Sequence, residues 1–144
     1  MELDPDGLRV RREVLGDAHV DRAVAGATEF SARFQEFITR SAWGDVWARP
    51  GLERRERSLV TLAALVAVRA EGELALHVRA AVRNGLTPDE IGEAILHTAL
   101  YAGLPAANSA FKIAEAVLVE DGLVAGGTIP PSCSRPLRAW GPSS

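Results

Sequence analysis

The feature that most constrains the fold is a paired helix-stop and helix-start signal in the middle of the chain. Gly85 suits the left-handed residue that follows a helix end. Thr87 is suited to cap a new helix, with Pro88 at its first position and Glu90 three residues after the cap. The signal predicts that one helix ends before Gly85 and that a second begins at Pro88. We expect these two helices to pack antiparallel against each other.

Both predicted helices have ionisable side chains four residues apart. These are Glu73 and His77 on the first helix, and Glu93, His97 and Tyr101 on the second. Residues at this spacing share a helix face, so each helix has an ionisable stripe. The stripes either line a functional pocket or are ordinary solvated helix pairs. Their spacing matches no specific metal motif, so we predict no metal site.

The apolar periodicity of the remaining chain is also helical, and the sequence contains no evident strand pairs or repeats. Further helices are predicted over 4–15, 29–43, 53–70 and 105–120. The helix over 53–70 is apolar on nearly every side after its charged first turns, and such a helix needs cover on every side. Because a chain this short supplies few neighbours, we expect burial between subunits. The predicted fold class is all-α.

The helix predicted over 29–43 has an aromatic stripe. Phe30, Phe34, Phe37 and Ile38 recur at three- and four-residue steps. This periodicity is typical of a helix face that packs in a core, and that is the role we expect for the stripe.

The segment over 43–52 combines two tryptophans with turn-forming residues. Gly44 and the pair Pro50-Gly51 interrupt it, which predicts a loop or a broken helix. Large apolar side chains left in water are costly. Trp43 and Trp47 therefore either plug the core or line a pocket or subunit contact.

Length and charge exclude several classes of protein. The chain has 144 residues, and we predict one helical domain over 1–125 followed by a flexible Pro/Gly/Ser-rich tail over 126–144. The formal net charge of −3, from 16 basic and 19 acidic residues, argues against non-specific nucleic-acid binding. No apolar run approaches the roughly 20 residues that span a bilayer, so no membrane association is predicted.

The compartment is predicted from the cysteine content and the first residues. Cys133 is the only cysteine, which excludes an intrachain disulfide and a metal site built from several thiolates. The acidic residues that follow Met1 are unlike a secretory signal. We therefore expect a reducing, cytoplasmic location.

Four segments of the chain resemble the carboxymuconolactone decarboxylase family. They are VLGDAHVDRA, FQEFITRSAWGDVWARPGL, RRERSLVTLAAL and GELALHVRAAVRNGLTPDEIGEAILHTALYAGLPAANSAF. The resemblance extends from residue 8 to residue 119 without a large gap. The first three segments are its specific part, because the last occurs across the wider alkylhydroperoxidase-like superfamily.

The resemblance implies a fold, an assembly and a reaction. The fold is an alkylhydroperoxidase-like helical bundle, assembled as a homo-oligomeric ring that is a hexamer or has a trimer as its building block. The reaction is the cofactor-free decarboxylation of 4-carboxymuconolactone to 3-oxoadipate enol-lactone in protocatechuate breakdown through the β-ketoadipate pathway. Redox-active members of the superfamily have a Cys-x-x-Cys pair, but Ala70 and Glu73 stand at those positions here. Dithiol chemistry therefore has no reactive group.

The reaction that the resemblance implies assigns roles to the ionisable stripes. Loss of CO2 leaves an electron pair that spreads into the lactone carbonyl, so the substrate is its own electron sink. Our hypothesis makes His77 the proton donor to the ring carbon, with Glu73 orienting its imidazole and raising its pKa. His97 and Tyr101 are then the hydrogen-bond donors to the lactone oxygen.

The substrate is a lactone with two carboxylates, and further residues are candidates for binding it. Arg49 and Arg57 are candidates for the acetate arm, although surface charge is an equal interpretation of both. Trp43 and Trp47 are candidates for the apolar wall that excludes water. His19 is expected to reach the pocket of its own or a neighbouring subunit.

Two other functions are compatible with the same residues. One is an enzyme of the same scaffold that acts on a different lactone or β-keto acid in a biosynthetic pathway, because one fold supports many chemistries. The other is a non-catalytic oligomeric binding module. Turnover of the lactone distinguishes these functions from the one implied by the resemblance.

Overall fold

The computed structural model describes residues 1–127, and every regular element in this part of the chain is a helix. The elements are α1 (Pro5–Leu15), α2 (Asp17–Ala25), α3 (Glu29–Ile38), a π-helical segment (Thr39–Trp47), α4 (Arg54–Ala67), α5 (Glu71–Arg83), α6 (Pro88–Ala102) and α7 (Leu104–Glu120). The all-α prediction is confirmed for this range. Most of the predicted tail, including Cys133, lies outside the described residues.

Helix ends lie where the local capping signals place them. Asp4 accepts a hydrogen bond from the backbone N–H of Gly7 at 2.6 Å and so caps α1. Thr87 accepts from the backbone N–H of Glu90 at 3.1 Å, while the Glu90 side chain accepts from the Thr87 N–H at 3.2 Å. Gly85 has a φ of 98°, which only glycine adopts freely. The predicted stop-and-start signal is therefore confirmed.

Helices α4 to α7 form a four-helix core. Each of α5 and α6 packs closely against both α4 and α7, whereas α5 and α6 contact each other little. They therefore lie diagonally across the bundle, and the prediction that they pack against each other is wrong. The physical reason is that α4 is apolar on two sides and α7 has a row of buried alanines that permits close approach: Ala106, Ala107, Ala110 and Ala114.

The first four elements form a second layer against α5. Its core is a cluster of buried side chains from α1, α2 and the π-helical segment, which Ala80 of α5 joins: Val10, Val14, Leu15, Val20 and Trp43. Helix α1 also lies very close to the π-helical segment. A Cβ added to Gly7 would stand 2.0 Å from the backbone oxygen of Thr39, so this approach requires glycine.

The aromatic stripe of α3 is exposed, and the prediction that it packs in the core is wrong. Phe30 is 96% exposed, Phe34 61% and Phe37 56%. Helix α3 ends at Ile38 and packs mainly on the π-helical segment, so no element of the described chain covers its apolar face. The periodicity correctly identifies an apolar face, but within one chain that face has no neighbour.

The two tryptophans lie on a broken helix, as one of the two sequence alternatives predicts. The chain remains helical through Trp47 but changes from α to π geometry at Thr39. Trp43 is buried in the second layer with 6% of its surface exposed, so it plugs the core. Among the described residues, no helix is both long and apolar enough to cross a membrane.

Candidate active site

Helix α5 places His77 at the junction of the two layers. On one side of it along the helix surface, Leu74, Val78 and Ala81 pack into the four-helix core. On the other side, Leu76 and Ala80 pack into the second layer. His77 is consequently half-buried, and its Nδ1 is enclosed with no hydrogen-bond partner among the described residues. An enclosed polar atom without a partner is uncommon and is costly unless a ligand or water satisfies it.

Burial, more than charge, sets the protonation of His77. Loss of solvent lowers the pKa of the imidazole below its ordinary value of 6.5, the charge of Glu73 opposes that change, and His19 adds slightly to it. Glu73 therefore raises the pKa of His77, as expected, but its effect is smaller than that of burial. The expectation of a raised pKa for His77 is wrong, because the net change is a decrease. Burial therefore shifts the imidazole of the free protein towards its neutral form.

His19 lies close enough to Glu73 and His77 for their charges to interact. It is a half-buried residue of α2, and burial is the main reason that its pKa is lowered. The positive charges of Arg11 and Arg22 lower the pKa of His19 further, and Glu73 raises it. We call His19, Glu73 and His77 the histidine cluster.

A groove with several arginines opens beside the histidine cluster. It has a volume of about 550 Å³ and lies between α2 and α5, with His19, Arg22, Arg79 and Arg83 among its lining residues. Arg79 is paired with acidic residues at the end of α7, and Nη1 of Arg83 donates to the backbone oxygen of Val14 at 2.8 Å. The groove gives a ligand access to His19, and the charge of Arg22 lies beside that route.

His97 and Tyr101 lie together, but apart from the histidine cluster. Their ring centroids are 5.6 Å apart on an exposed face of α6, and Tyr101 is 82% exposed. Helix α6 is diagonal to α5 in the bundle, and His97 is not among the charges that affect the pKa of His77. A single chain therefore does not bring the two predicted imidazoles into one cavity. Glu93, on the same stripe, is also exposed.

The predicted binding residues of the tryptophan segment form a second small group, and its tryptophans pack in the cluster that Leu76 and Ala80 of α5 join. The rings of Trp43 and Trp47 are 5.3 Å apart. Trp47 and Arg57 line a cavity of about 120 Å³. Nη2 of Arg57 donates to the backbone oxygen of Arg49 at 3.0 Å, while Nε of Arg57 is enclosed without a partner among the described residues. Arg49 is exposed, and its contact with Arg57 is made by its backbone oxygen.

Arg11 is a buried cation that our sequence analysis does not single out. Only 4% of its surface is exposed, and burial lowers its pKa. Its Nη1 donates to Oε1 of Gln35 at 2.9 Å and to Oγ1 of Thr39 at 3.2 Å. The available signal is its place on the apolar face of α1, between Val10 and Val14, where a charged residue is unusual.

Comparison with known proteins identifies the relatives of this chain. Residues 32–116 match the carboxymuconolactone decarboxylase family. The chain belongs to this family. The range matched contains Glu73, His77, His97 and Tyr101, and it excludes Arg11 and His19.

Two curated relatives align with most of the chain. A protein of Acinetobacter baylyi named 4-carboxymuconolactone decarboxylase is 54% identical over 117 residues, which is 81% of this chain and 87% of that protein. A protein of Metarhizium robertsii named nitrosuccinic acid decarboxylase npaB is 46% identical over 113 residues, which is 78% of this chain and 79% of that protein. Both relatives are named as decarboxylases, although their substrates differ.

The carboxymuconolactone decarboxylase family assignment is compatible with the ionisable groups of the site. Within residues 1–127, no three His, Cys, Asp or Glu side chains are grouped so that they could hold a metal ion. The two imidazoles and one carboxylate of the histidine cluster therefore interact through their charges and not as a common set of metal ligands. Such groups are suited to transferring a proton and to orienting an anionic substrate.

Proposed function

We propose that the protein decarboxylates 4-carboxymuconolactone to 3-oxoadipate enol-lactone, a step of protocatechuate breakdown through the β-ketoadipate pathway. The observation that carries the proposal is the 54% identity with the Acinetobacter baylyi decarboxylase, which covers 87% of that protein. The 46% identity with a second decarboxylase supports the release of CO2 as the type of reaction. We place the reaction in the cytoplasm, in agreement with the single cysteine of the chain.

The chemistry needs a proton donor and no external electron acceptor. When the bond from the ring carbon to the carboxylate breaks, its electron pair moves through the ring double bond to the lactone carbonyl oxygen and forms a dienolate. Protonation of the ring carbon next to that carbonyl then gives the enol-lactone. We assign this protonation to His77, with Glu73 as the residue that favours its charged form.

The lowered pKa of His77 is compatible with this role when substrate is bound. In the free protein, burial favours the neutral imidazole. A substrate with two carboxylates adds negative charge, which favours the protonated form. The enclosed Nδ1, which has no partner among the described residues, is also available to the ligand. Substrate binding would thus bring a proton to His77 before the carbon–carbon bond breaks.

The remaining predicted residues provide candidates for substrate binding. We propose that Arg57, whose enclosed Nε has no partner among the described residues, holds the acetate arm, with Arg49 positioning it. Trp43 and Trp47 provide the apolar wall beside it. His19 lies at the groove through which an anion reaches the cluster.

We further propose that the active protein is a homo-oligomer, either a hexamer or an assembly of trimers. Large apolar side chains are exposed on α3 and on α6 and α7, and apolar side chains of this size that face solvent in one chain are often covered at a subunit interface. These residues are Phe30, Phe34, Phe37, Leu96, Leu100, Tyr101 and Leu104. The roles proposed for His97 and Tyr101, as donors to the lactone oxygen, then require a second subunit that brings them to His77.

The second candidate function is decarboxylation of a different carboxylic acid by the same groups. It is favoured by the 46% identity with the nitrosuccinic acid decarboxylase. A nitro group, like a lactone carbonyl, accepts the electron pair that CO2 leaves behind. The same proton donor and the same carboxylate-binding residues therefore serve both substrates.

Turnover measurements distinguish these functions. The purified protein is incubated with 4-carboxymuconolactone or with nitrosuccinate, and CO2 release and product formation are followed with and without a metal chelator. We expect turnover of the lactone that the chelator does not reduce. Turnover of nitrosuccinate alone would establish the second candidate, and tight binding of the lactone without turnover would indicate a binding module.

A further inference from the structure

The arginines of α1 differ in a way that their exposure does not explain. Arg9 is exposed and pairs with Asp6 and Glu13, and Arg12 pairs with Asp17 and Asp21. Arg11, the most buried of the three, pairs with no carboxylate among the described residues. A buried charge normally has an opposite charge beside it, because removing an unpaired ion from water is expensive.

The hydrogen bonds of Arg11 leave one edge of its guanidinium unused. Both bonds to described residues start from Nη1, one to Gln35 and one to Thr39. Nε is enclosed without a partner among the described residues, and neither of the two hydrogen bonds starts from Nη2. Nε and Nη2 together form a fork of parallel N–H groups that matches the two oxygens of a carboxylate.

Two structural features fix this fork in place. Thr39, which holds Nη1, is the first residue of the π-helical segment and is fully buried. Helix α1 can approach this segment closely only because Gly7 has no side chain. π-Helical geometry inside a helix occurs frequently at functional sites. The two neutral partners orient the guanidinium without neutralising its charge.

The position of Arg11 connects it to the proposed active site. Its positive charge lowers the pKa of His19, so the two side chains are close enough to interact. His19 in turn interacts with His77, and it lines the groove beside α5. The packing agrees with this, because Val10 and Val14 of α1 lie in the same cluster as Leu76 and Ala80 of α5. An anion held beside His19 and His77 is therefore near the helix that contains Arg11.

We propose that Arg11 binds a carboxylate of the substrate through its Nε and Nη2 atoms and thereby positions the substrate beside His19 and His77. The guanidinium fork itself calls for an oxyanion, and the choice of a carboxylate rests on the proposed function. The bound carboxylate would supply the negative charge that no described residue places beside Arg11. This role is additional to that of Arg57, which lies in the cavity beside Trp47.

The test compares Arg11→Met with Thr39→Val in the full chain. Arg11→Met removes the cation and keeps an apolar side chain of similar length, whereas Thr39→Val removes one of its neutral partners and keeps the cation. We measure KM and kcat with 4-carboxymuconolactone, the Kd of succinate as a dicarboxylate that does not react, and the unfolding temperature. Dimethyl succinate, which has no charge, is the control ligand.

We expect Arg11→Met to raise the KM for 4-carboxymuconolactone and the Kd of succinate, each roughly 10-fold or more. The reason is that hydrogen bonds between charged groups are stronger than those between neutral groups. Thr39→Val should change both values much less. The unfolding temperature of Arg11→Met without ligand should be equal to or above that of the wild type, since an unpaired buried charge is removed. Arg11→Lys, which keeps the charge without the fork, should bind succinate more weakly than the wild type and provides the test if Arg11→Met does not fold.

Several results would overturn the inference. They are unchanged succinate binding and KM in the Arg11 variants, equal losses in Arg11→Met and Thr39→Val, and a wild type that does not distinguish succinate from its dimethyl ester. If the wild type binds succinate through Arg11 but does not decarboxylate the lactone, the proposed function fails and this inference stands. If the wild type decarboxylates the lactone and Arg11→Met retains its KM, the inference fails and the proposed function stands.

Discussion

Glu73 precedes His77 by one helical turn on α5, yet burial of the imidazole outweighs the charge of the carboxylate and holds the pKa of His77 below 6.5. The two residues are therefore not a permanently charged pair. The carboxylate partly offsets the effect of burial and leaves the imidazole able to change its protonation when an anion binds. This relationship leads to predictions for the free protein and for the enzyme.

The contribution of Glu73 is measurable in the free protein. Replacing Glu73 with Gln removes the charge that raises the pKa of His77, so that pKa should fall further below 6.5. Titration of the His77 ring signals by NMR measures the change, and Glu71→Gln, an exposed neighbour on the same helix, is the matched control. An unchanged or higher pKa of His77 in Glu73→Gln would contradict the account.

Burial of His77 also predicts how stability depends on pH. Because the folded protein lowers the pKa of His77 from 6.5, the unfolded chain binds the proton first as the solution becomes acidic. The stability that depends on the neutral imidazole is present above pH 6.5 and is lost as the pH falls from there towards the folded-state pKa.

Urea unfolding below pH 6.5 tests this direction. We expect the free energy of unfolding to fall less steeply with decreasing pH in His77→Phe than in the wild type. The comparison isolates His77 because the other titrating groups are common to both proteins. Equal slopes would show that His77 is not the buried titrating group described here.

The exposed stripe of α3 predicts a subunit contact. Phe34→Glu places a charge in the middle of that apolar face, so we expect it to convert the oligomer into smaller species. Light scattering coupled to size-exclusion chromatography measures the mass. Arg33→Glu, an exposed change on the same helix, is the control and should leave the assembly intact. A monomeric wild type, or a Phe34→Glu variant of unchanged mass, would contradict this interface.

The separation of His77 and His97 within one chain predicts that subunits complement each other. Two inactive variants, His77→Ala and His97→Gln, are unfolded, mixed and refolded together. If each site takes His77 from one subunit and His97 from another, the mixed oligomer contains some sites with both residues, and activity returns. Activity that stays at the level of the separate variants would mean that no site is shared between subunits.

The parts of the fold that were predictable from sequence are those set by neighbours along the chain. The turn at Gly85 and the cap at Thr87 depend on a few adjacent residues, and both are present as predicted. The diagonal placement of α5 and α6 was not predictable in this way, because α4 and α7, distant in sequence, lie between them. The stripe of Phe30 identifies an apolar face but not the surface that covers it.

The candidate site was predictable to a similar degree. Spacing identified Glu73 and His77 as residues of one helix face, and the resemblance pointed to His19. The structure shows that the charges of His19, Glu73 and His77 affect one another. The net pKa of His77 depends on how far other elements bury it, which spacing along one helix does not reveal. Arg11 was missed because a charged residue on α1 is expected to face solvent, whereas the π-helical segment covers it.

The central claim is that His77 protonates the ring carbon next to the lactone carbonyl and so forms the enol-lactone. The kcat of His77→Ala with 4-carboxymuconolactone tests this claim most directly. The account predicts a kcat lower by about 10² to 10⁴-fold, the usual contribution of a positioned general acid, in a variant that remains folded by circular dichroism. His77→Ala with the kcat of the wild type would contradict the account.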